Sequence, residues 1–352
     1  MKNLWQWMAI AALAVLTVGC GSSGSGSEAS KGGSPSTPGG AASGDKKFKV
    51  GIVFDRGGLG DKSFNDSAWR GIQRAEQEFG IEVRKVETKQ ERDYETNQSA
   101  LASAGMDLVI AVGLNQETAL KKVAAKFPKM NFAIVDGKVG APNVRELRFK
   151  EEEGSFLVGY LAGLMTKTNK IGFVGGMKLD LILKFQYGYM AGAKLANPAV
   201  EILPAKFTDT WDDTQKAKAA ANVLYSGGAD IVYHAAGRAG LGVITAAKET
   251  GKFAIGVDSD QDDVAEGSVL TSMIKRVDQA VYSTIKDLVE GKFAAGEVVY
   301  DLKQDGVGIS ELRFTKDVIG AENLKKLDEI KAKIIAGEIK VPSTEAEFNA
   351  GQ

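Results

Sequence analysis

From Lys47 onward, short apolar runs rich in β-branched residues alternate with stretches of helical spacing. That alternation is the strongest constraint on the fold. Lys-Val-Gly-Ile-Val-Phe at 49–54 has the length and composition of a buried strand. Gly57-Gly-Leu-Gly60 follows as a turn. Ser63, with Asp66 three residues on, reads as a helix N-cap. Phe64, Ala68, Ile72, Ala75 and Phe79 then fall at helical steps on one face. Further strands are expected at 81–86, 107–112, 131–135, 170–174, 201–207, 230–234, 253–257 and 268–274. Helices are expected at 117–127, 154–165, 214–225, 277–290 and 322–335, with an irregular tail over 341–352. Such alternation predicts an α/β chain of parallel sheets covered on both faces. The number of units exceeds one sheet, so two doubly wound lobes are expected, with a first crossing near 165–169.

Composition narrows the function. The 352 residues are 44% hydrophobic and 25% charged, enough for a large core. The 44 Lys and Arg nearly balance 45 Asp and Glu, a net charge of −1, which leaves no footprint for nucleic acid. One Cys rules out an intrachain disulfide framework, and one His rules out sites needing two.

The first 46 residues read as targeting and tether. Lys2 precedes an apolar run from Met8 to Val18, too short to span a bilayer and of the length of a signal-peptide core. It ends at Gly19-Cys20, which resembles the lipobox of bacterial lipoproteins, although Thr17 stands where that motif usually carries Leu. The resemblance implies cleavage before Cys20, lipidation of its sulfur and a membrane anchor. Residues 21–44 hold 8 Gly and 8 Ser. They read as a flexible coil of about 25–30 Å. This places the folded part outside the cytoplasm.

In open α/β sheets, ligands sit beyond the carboxyl ends of the strands. The residues there are Asp55 and Asp61-Lys-Ser-Phe-Asn65, Asp136, Gly175-Gly176 with Phe185 further on, Asp209-Thr-Trp-Asp-Asp213, Gly237 to Gly242, Asp258 and Lys275. Aromatic rings offer stacking platforms, and carboxylates and amides pair with hydroxyls or heterocycle edges. Each residue taken singly has a structural reading too. An Asp after a strand often caps a helix, Phe64 and Phe185 fit a core, and Lys275 fits a solvated surface. Enzyme chemistry has little purchase: there is no G-x-S-x-G elbow or Walker loop, and His234 stands without an evident nucleophile. No enzyme activity, cofactor or metal is expected.

Several of these stretches together are recognisable. Asp55-Arg-Gly-Gly-Leu-Gly-Asp-Lys-Ser-Phe-Asn65, Gly172-Phe-Val-Gly-Gly176, Tyr187-Gly-Tyr-Met-Ala-Gly192, Trp211-Asp-Asp213, His234-Ala-Ala-Gly-Arg-Ala-Gly-Leu-Gly242 and Gly256-Val-Asp-Ser-Asp-Gln261 resemble the basic membrane protein family. These are lipoprotein substrate-binding components of bacterial ABC importers. The resemblance implies a type I periplasmic-binding-protein fold of two lobes joined by a hinge. It implies a purine nucleoside ligand (adenosine, guanosine or inosine) and a permease partner. A receptor for a riboflavin-like ligand or another nucleoside, or a sensory co-receptor, would use the same fold.

Position by position, the resemblance implies that Asp55, Phe64 and Asn65 come from the first lobe, with Phe64 stacking on the base. Asn65 and Asp136 pair with the base edge, and Phe185 and Trp211 press from the second lobe. Asp258 holds the ribose hydroxyls with Lys275 nearby, and Gly237 lets backbone approach the sugar. The family tends to carry a proline within 177–183, where this chain has Asp180 and Leu181. The expected plan is signal peptide 1–19, anchor and tether 20–46, first lobe 47–165, second lobe 166–275, a return to the first lobe at 276–295, and remaining second-lobe strands with the C-terminal helix and tail over 296–352.

Overall fold

The computed structural model describes residues 47–351; the expected signal, Cys20 anchor and tether lie outside the described residues. The first half runs β1 (Lys49–Phe54), α1 (Phe64–Phe79), β2 (Glu82–Glu87), α2 (Tyr94–Ser103), β3 (Leu108–Val112), α3 (Glu117–Lys126), β4 (Asn131–Val135) and β5 (Val144–Phe149). Next come α4 (Glu151–Met165), β6 (Lys170–Gly175), α5 (Asp180–Ala196), β7 (Glu201–Ile202), β8 (Lys206–Phe207), α6 (Thr214–Ser226), β9 (Ile231–Ala235), α7 (Leu241–Thr250), β10 (Phe253–Asp258) and β11 (Val269–Lys275). The chain ends with α8 (Val277–Val289), β12 (Gly296–Tyr300), β13 (Val307–Ile309), α9 (Lys316–Ile319), α10 (Ala321–Ile335) and α11 (Glu345–Ala350).

The strands form two sheets, ordered β12-β5-β4-β3-β1-β2 and β13-β11-β10-β9-β6-β7, with β8 also on β6. All pairs are parallel except β11 with β13. Central strands such as β3 are buried at every residue, as parallel strands covered by helices on both faces must be. The two orders are the same path followed twice. Even close packing repeats: a Cβ on Gly51 would meet Leu101 at 2.9 Å, and one on Gly172 would meet Leu224 at 2.9 Å.

Three segments join the lobes, and they run side by side. The first is Lys150, between β5 and α4; the second is Arg276, between β11 and α8; the third is 301–306, between β12 and β13. Lys150 N donates to Tyr300 O at 3.0 Å, and Arg276 N donates to Gly306 O at 2.9 Å.

This corrects the sequence plan in several places. The first crossing lies at Lys150, not at 165–169, because α4 packs on α5 of the second lobe. The helices meet through glycines: a Cβ on Gly159 would sit 2.0 Å from Tyr189 O, and one on Gly192 2.0 Å from Phe156 O. The segment 296–352 does not lie wholly in the second lobe, since β12 pairs in register with β5 at the edge of the first sheet. Strand β5 was not anticipated, because Arg145 and Glu146 interrupt its apolar pattern; both are buried and paired. The strand expected at 201–207 is two short strands, broken around Pro204. The tail contains α11, whose N-cap Thr344 accepts from Glu347 N and whose Phe348 packs on Tyr187.

Candidate functional site

A cleft opens between the carboxyl ends of the two sheets, where this topology places a ligand. It is lined by Asp55, Phe64, Asn65, Asp136, Phe185, Trp211, Gly237, Asp258 and Lys275. The structure thus brings together all nine residues singled out from the sequence. Both lobes contribute: Asp55, Phe64, Asn65 and Asp136 from one, the rest from the other.

Lys275, at the end of β11, is 1% exposed. Its Nζ donates to Asp136 Oδ2 at 2.6 Å and lies 3.1 Å from Glu151 Oε1. Burial works against this charge, but Asp136, Glu151 and Asp258 outweigh it and hold the ammonium above its ordinary range. The same Nζ lies 5.4 Å from the Phe64 ring centroid, 4.9 Å from Phe149 and 5.5 Å from Phe185. Lys184 extends the network, 3.2 Å from Glu151 Oε2.

Asp136 and Asp258 both adopt the left-handed backbone region, at φ 66° and 65°, rare for a residue with a side chain. Desolvation pushes Asp136 up to about 6, with Lys275 opposing. Burial likewise pushes Asp258 up to about 6, opposed by Lys275 and by the Ser63 hydroxyl. Asp136 Oδ1 is buried with no protein partner, an acceptor left open beside the cleft.

Asp55 and Asn65 turn much of their hydrogen-bonding capacity inward. The Tyr94 hydroxyl and Arg56 N donate to Asp55 Oδ1. Asn65 Oδ1 accepts from Asp55 N at 3.1 Å, and its Nδ2 donates to Asp61 Oδ2 at 3.0 Å. Burial raises Asp55 above the usual carboxylate range despite these donors. On the opposite wall, Trp211 needs two glycines. A Cβ on Gly176 would sit 2.4 Å from its ring, and Gly237 has φ +55° with Trp211 O at 3.3 Å from the Cβ position.

The contacts that cross the cleft were not legible in the sequence. Arg238 Nη2 donates to Leu59 O of the opposite lobe at 2.6 Å, and Arg56 meets Asp212 across the mouth at 3.5 Å. Leu181 and Ile182, in the first turn of α5, also line the cleft. Glu151 was hidden because it becomes buried only where the chain crosses lobes. The expected Ser63 cap is corrected: its side chain makes no cap hydrogen bond. Asp61 takes that work, accepting from the backbone N–H of Ser63, Asn65 and Asp66. His234 is fully buried; burial holds it down at about 4, and Nε2 faces Gln261 Oε1 at 3.1 Å. It is a neutral core residue.

The family model described as ABC transporter substrate-binding protein, PnrA-like (Bmp), matches residues 48–345. A "CD4+ T-cell-stimulating antigen" of Listeria monocytogenes is 39% identical over 84% of this chain and 88% of its own. An "ABC transporter nucleoside-binding protein BmpA" of Lactococcus lactis is 34% identical over 84% of this chain and 89% of its own. Among solved structures, an ABC transporter solute-binding protein from Aeropyrum pernix superposes with a TM-score of 0.77 at 30% identity, covering 86% of this chain and 96% of that one.

Proposed function

Since the chain belongs to the Bmp family of PnrA-like ABC transporter substrate-binding proteins, we propose that it captures a purine nucleoside between its lobes and delivers it to an importer permease. One observation carries this reading. An aromatic ring from each lobe, Phe64 and Phe185, lies within 5.5 Å of one buried ammonium, and Asp136 and Asp258, which hold that ammonium, line the same cleft. A planar base stacked on such rings gains roughly 1–3 kcal/mol per base. Asp136 Oδ1, with the remaining capacity of Asn65, pairs with the base edge. Asp258 accepts from the ribose hydroxyls beside Lys275, and Gly237 gives the sugar close backbone approach. Trp211 closes the second-lobe wall. Asp55, satisfied by its own lobe, shapes the pocket. The Lactococcus lactis relative named as nucleoside-binding supports the ligand class.

In this reading Cys20 carries the lipid anchor and residues 21–44 are the tether, so the receptor works on the outer side of its membrane. No helix among the described residues is long and apolar enough to cross a bilayer.

The test is calorimetric titration of protein unfolded and refolded to strip carried ligand. Purine nucleosides binding 1:1, with pyrimidine nucleosides and free bases much weaker, is the expected result. An absence of heat across the purine nucleosides, with folding intact, overturns the ligand assignment.

A further inference from the structure

The segment before α1 makes an unusual use of its side chains. Lys62 turns through φ +55°, and Asp61 folds under the helix start to accept three backbone N–H groups. That releases the Ser63 hydroxyl from the capping its position suggests. Ser63 is fully buried, and its Oγ reaches across the cleft to donate to Asp258 Oδ2 at 2.5 Å. The neighbouring contacts also cross between lobes. Ser259 Oγ donates to Ser63 O at 2.8 Å, Gln261 Nε2 donates to Lys62 O at 3.1 Å, and Arg70 Nη2 donates to Ser259 Oγ at 2.9 Å.

From this juxtaposition we propose that Ser63 is a positioning residue for ligand recognition, a latch from one lobe that sets the other lobe's carboxylate, Asp258, toward the sugar on closure. The proposal rests on the purine-nucleoside reading above. A carboxylate has lone pairs in several directions. With Oδ2 held by Ser63, Oδ1 is left to accept from the sugar, and the bond exists only when the lobes meet. Recognition of vicinal hydroxyls is thereby tied to the closed state, while contacts to the base are independent of Ser63.

The experiment is titration of the whole chain and its Ser63→Ala, Ser63→Cys and Ser63→Thr variants with guanosine and with 2′,3′-dideoxyguanosine, alongside thermal melts. Ser63→Ala weakens guanosine by about tenfold, the scale of one lost hydrogen bond to a charged group. It leaves the dideoxy analogue within about twofold. Ser63→Thr, which keeps the hydroxyl, restores guanosine, and Ser63→Cys, with a weak donor, falls between. Equal weakening of both ligands, or none, overturns the role of Ser63 while the nucleoside reading stands. Wild-type protein that binds neither ligand overturns both, and the two failures are distinct.

Discussion

The two lobes place an aspartate at the same point of the same sheet path, Asp136 after β4 and Asp258 at the end of β10, and use it differently. Both are 7% exposed, both have φ near +65°, and both are pushed up to about 6 by burial. Across the cleft, however, Asp136 meets a fully buried ammonium, whereas Asp258 meets a neutral hydroxyl. The first belongs to a buried ion-pair cluster with Lys275 and Glu151, and its removal leaves the ammonium less well compensated. Lys275 acts on the second only through its field, and the hydrogen bond that the second accepts comes from a hydroxyl, so it is freer to serve a ligand. A repeated fold thus supplies the backbone geometry twice, and the partner from the other lobe decides what each carboxylate does.

Breaking the charged side should have the largest effect. Lys275→Met leaves Asp136 and Glu151 buried with no shared cation, and a loss of about 3–5 kcal/mol is expected in urea unfolding. A loss below about 1 kcal/mol would mean that the pair is not structural.

Asp258→Ala separates the two roles. Nucleoside affinity should fall by about 1.5–3 kcal/mol, the scale of a hydrogen bond to a charged group, with stability unchanged or raised. Asp136→Asn should instead lower stability. If the two variants behave alike in melts, the contrast fails.

The repeat itself can be weighed with Gly51→Ala and Gly172→Ala. Each Cβ meets an equivalent leucine at 2.9 Å. Each should cost about 1–3 kcal/mol by overpacking, with the two costs matching within about 0.5 kcal/mol.

Acidity acts on affinity and stability with opposite signs. Both aspartates titrate higher when folded than their ordinary 3.8. For Asp258, whose carboxylate is hydrogen-bonded by a hydroxyl and not by a cation, the contribution to stability is therefore fully present below about 3.8 and is lost as pH rises through about 6. Binding needs the ionised acceptors, so affinity should be flat above about pH 7 and fall through 6, by up to about tenfold per unit for one required deprotonation. Affinity rising on acidification would exclude ionised acceptors. The smallest effect is expected at the mouth. Arg56→Ala breaks a half-exposed pair with Asp212 and should shift affinity by no more than about 1 kcal/mol.

The sequence carried a good part of this. Apolar runs located most strands, and the rule that ligands lie beyond strand ends gathered the nine cleft residues, because that rule depends on local order alone. What periodicity cannot convey is which sheet an element joins. Helix α4 is apolar nearly all round, so its pattern fits either lobe, and only the glycines facing α5 decide. Strand β5 hides behind Arg145, whose buried charge finds Asp287 at 2.7 Å, 142 positions away. The roles of Asp61 and Ser63 were exchanged for a similar reason. A local capping rule could not foresee a hydroxyl drawn away by Asp258, 195 positions on.

The most direct measurement is a crystal structure of the protein soaked or grown with a purine nucleoside. The base should lie between the rings of Phe64 and Phe185, its edge toward Asp136, with the ribose hydroxyls on Asp258. A base lying elsewhere, or a sugar turned toward Asp136, would contradict the division of labour between the two lobes.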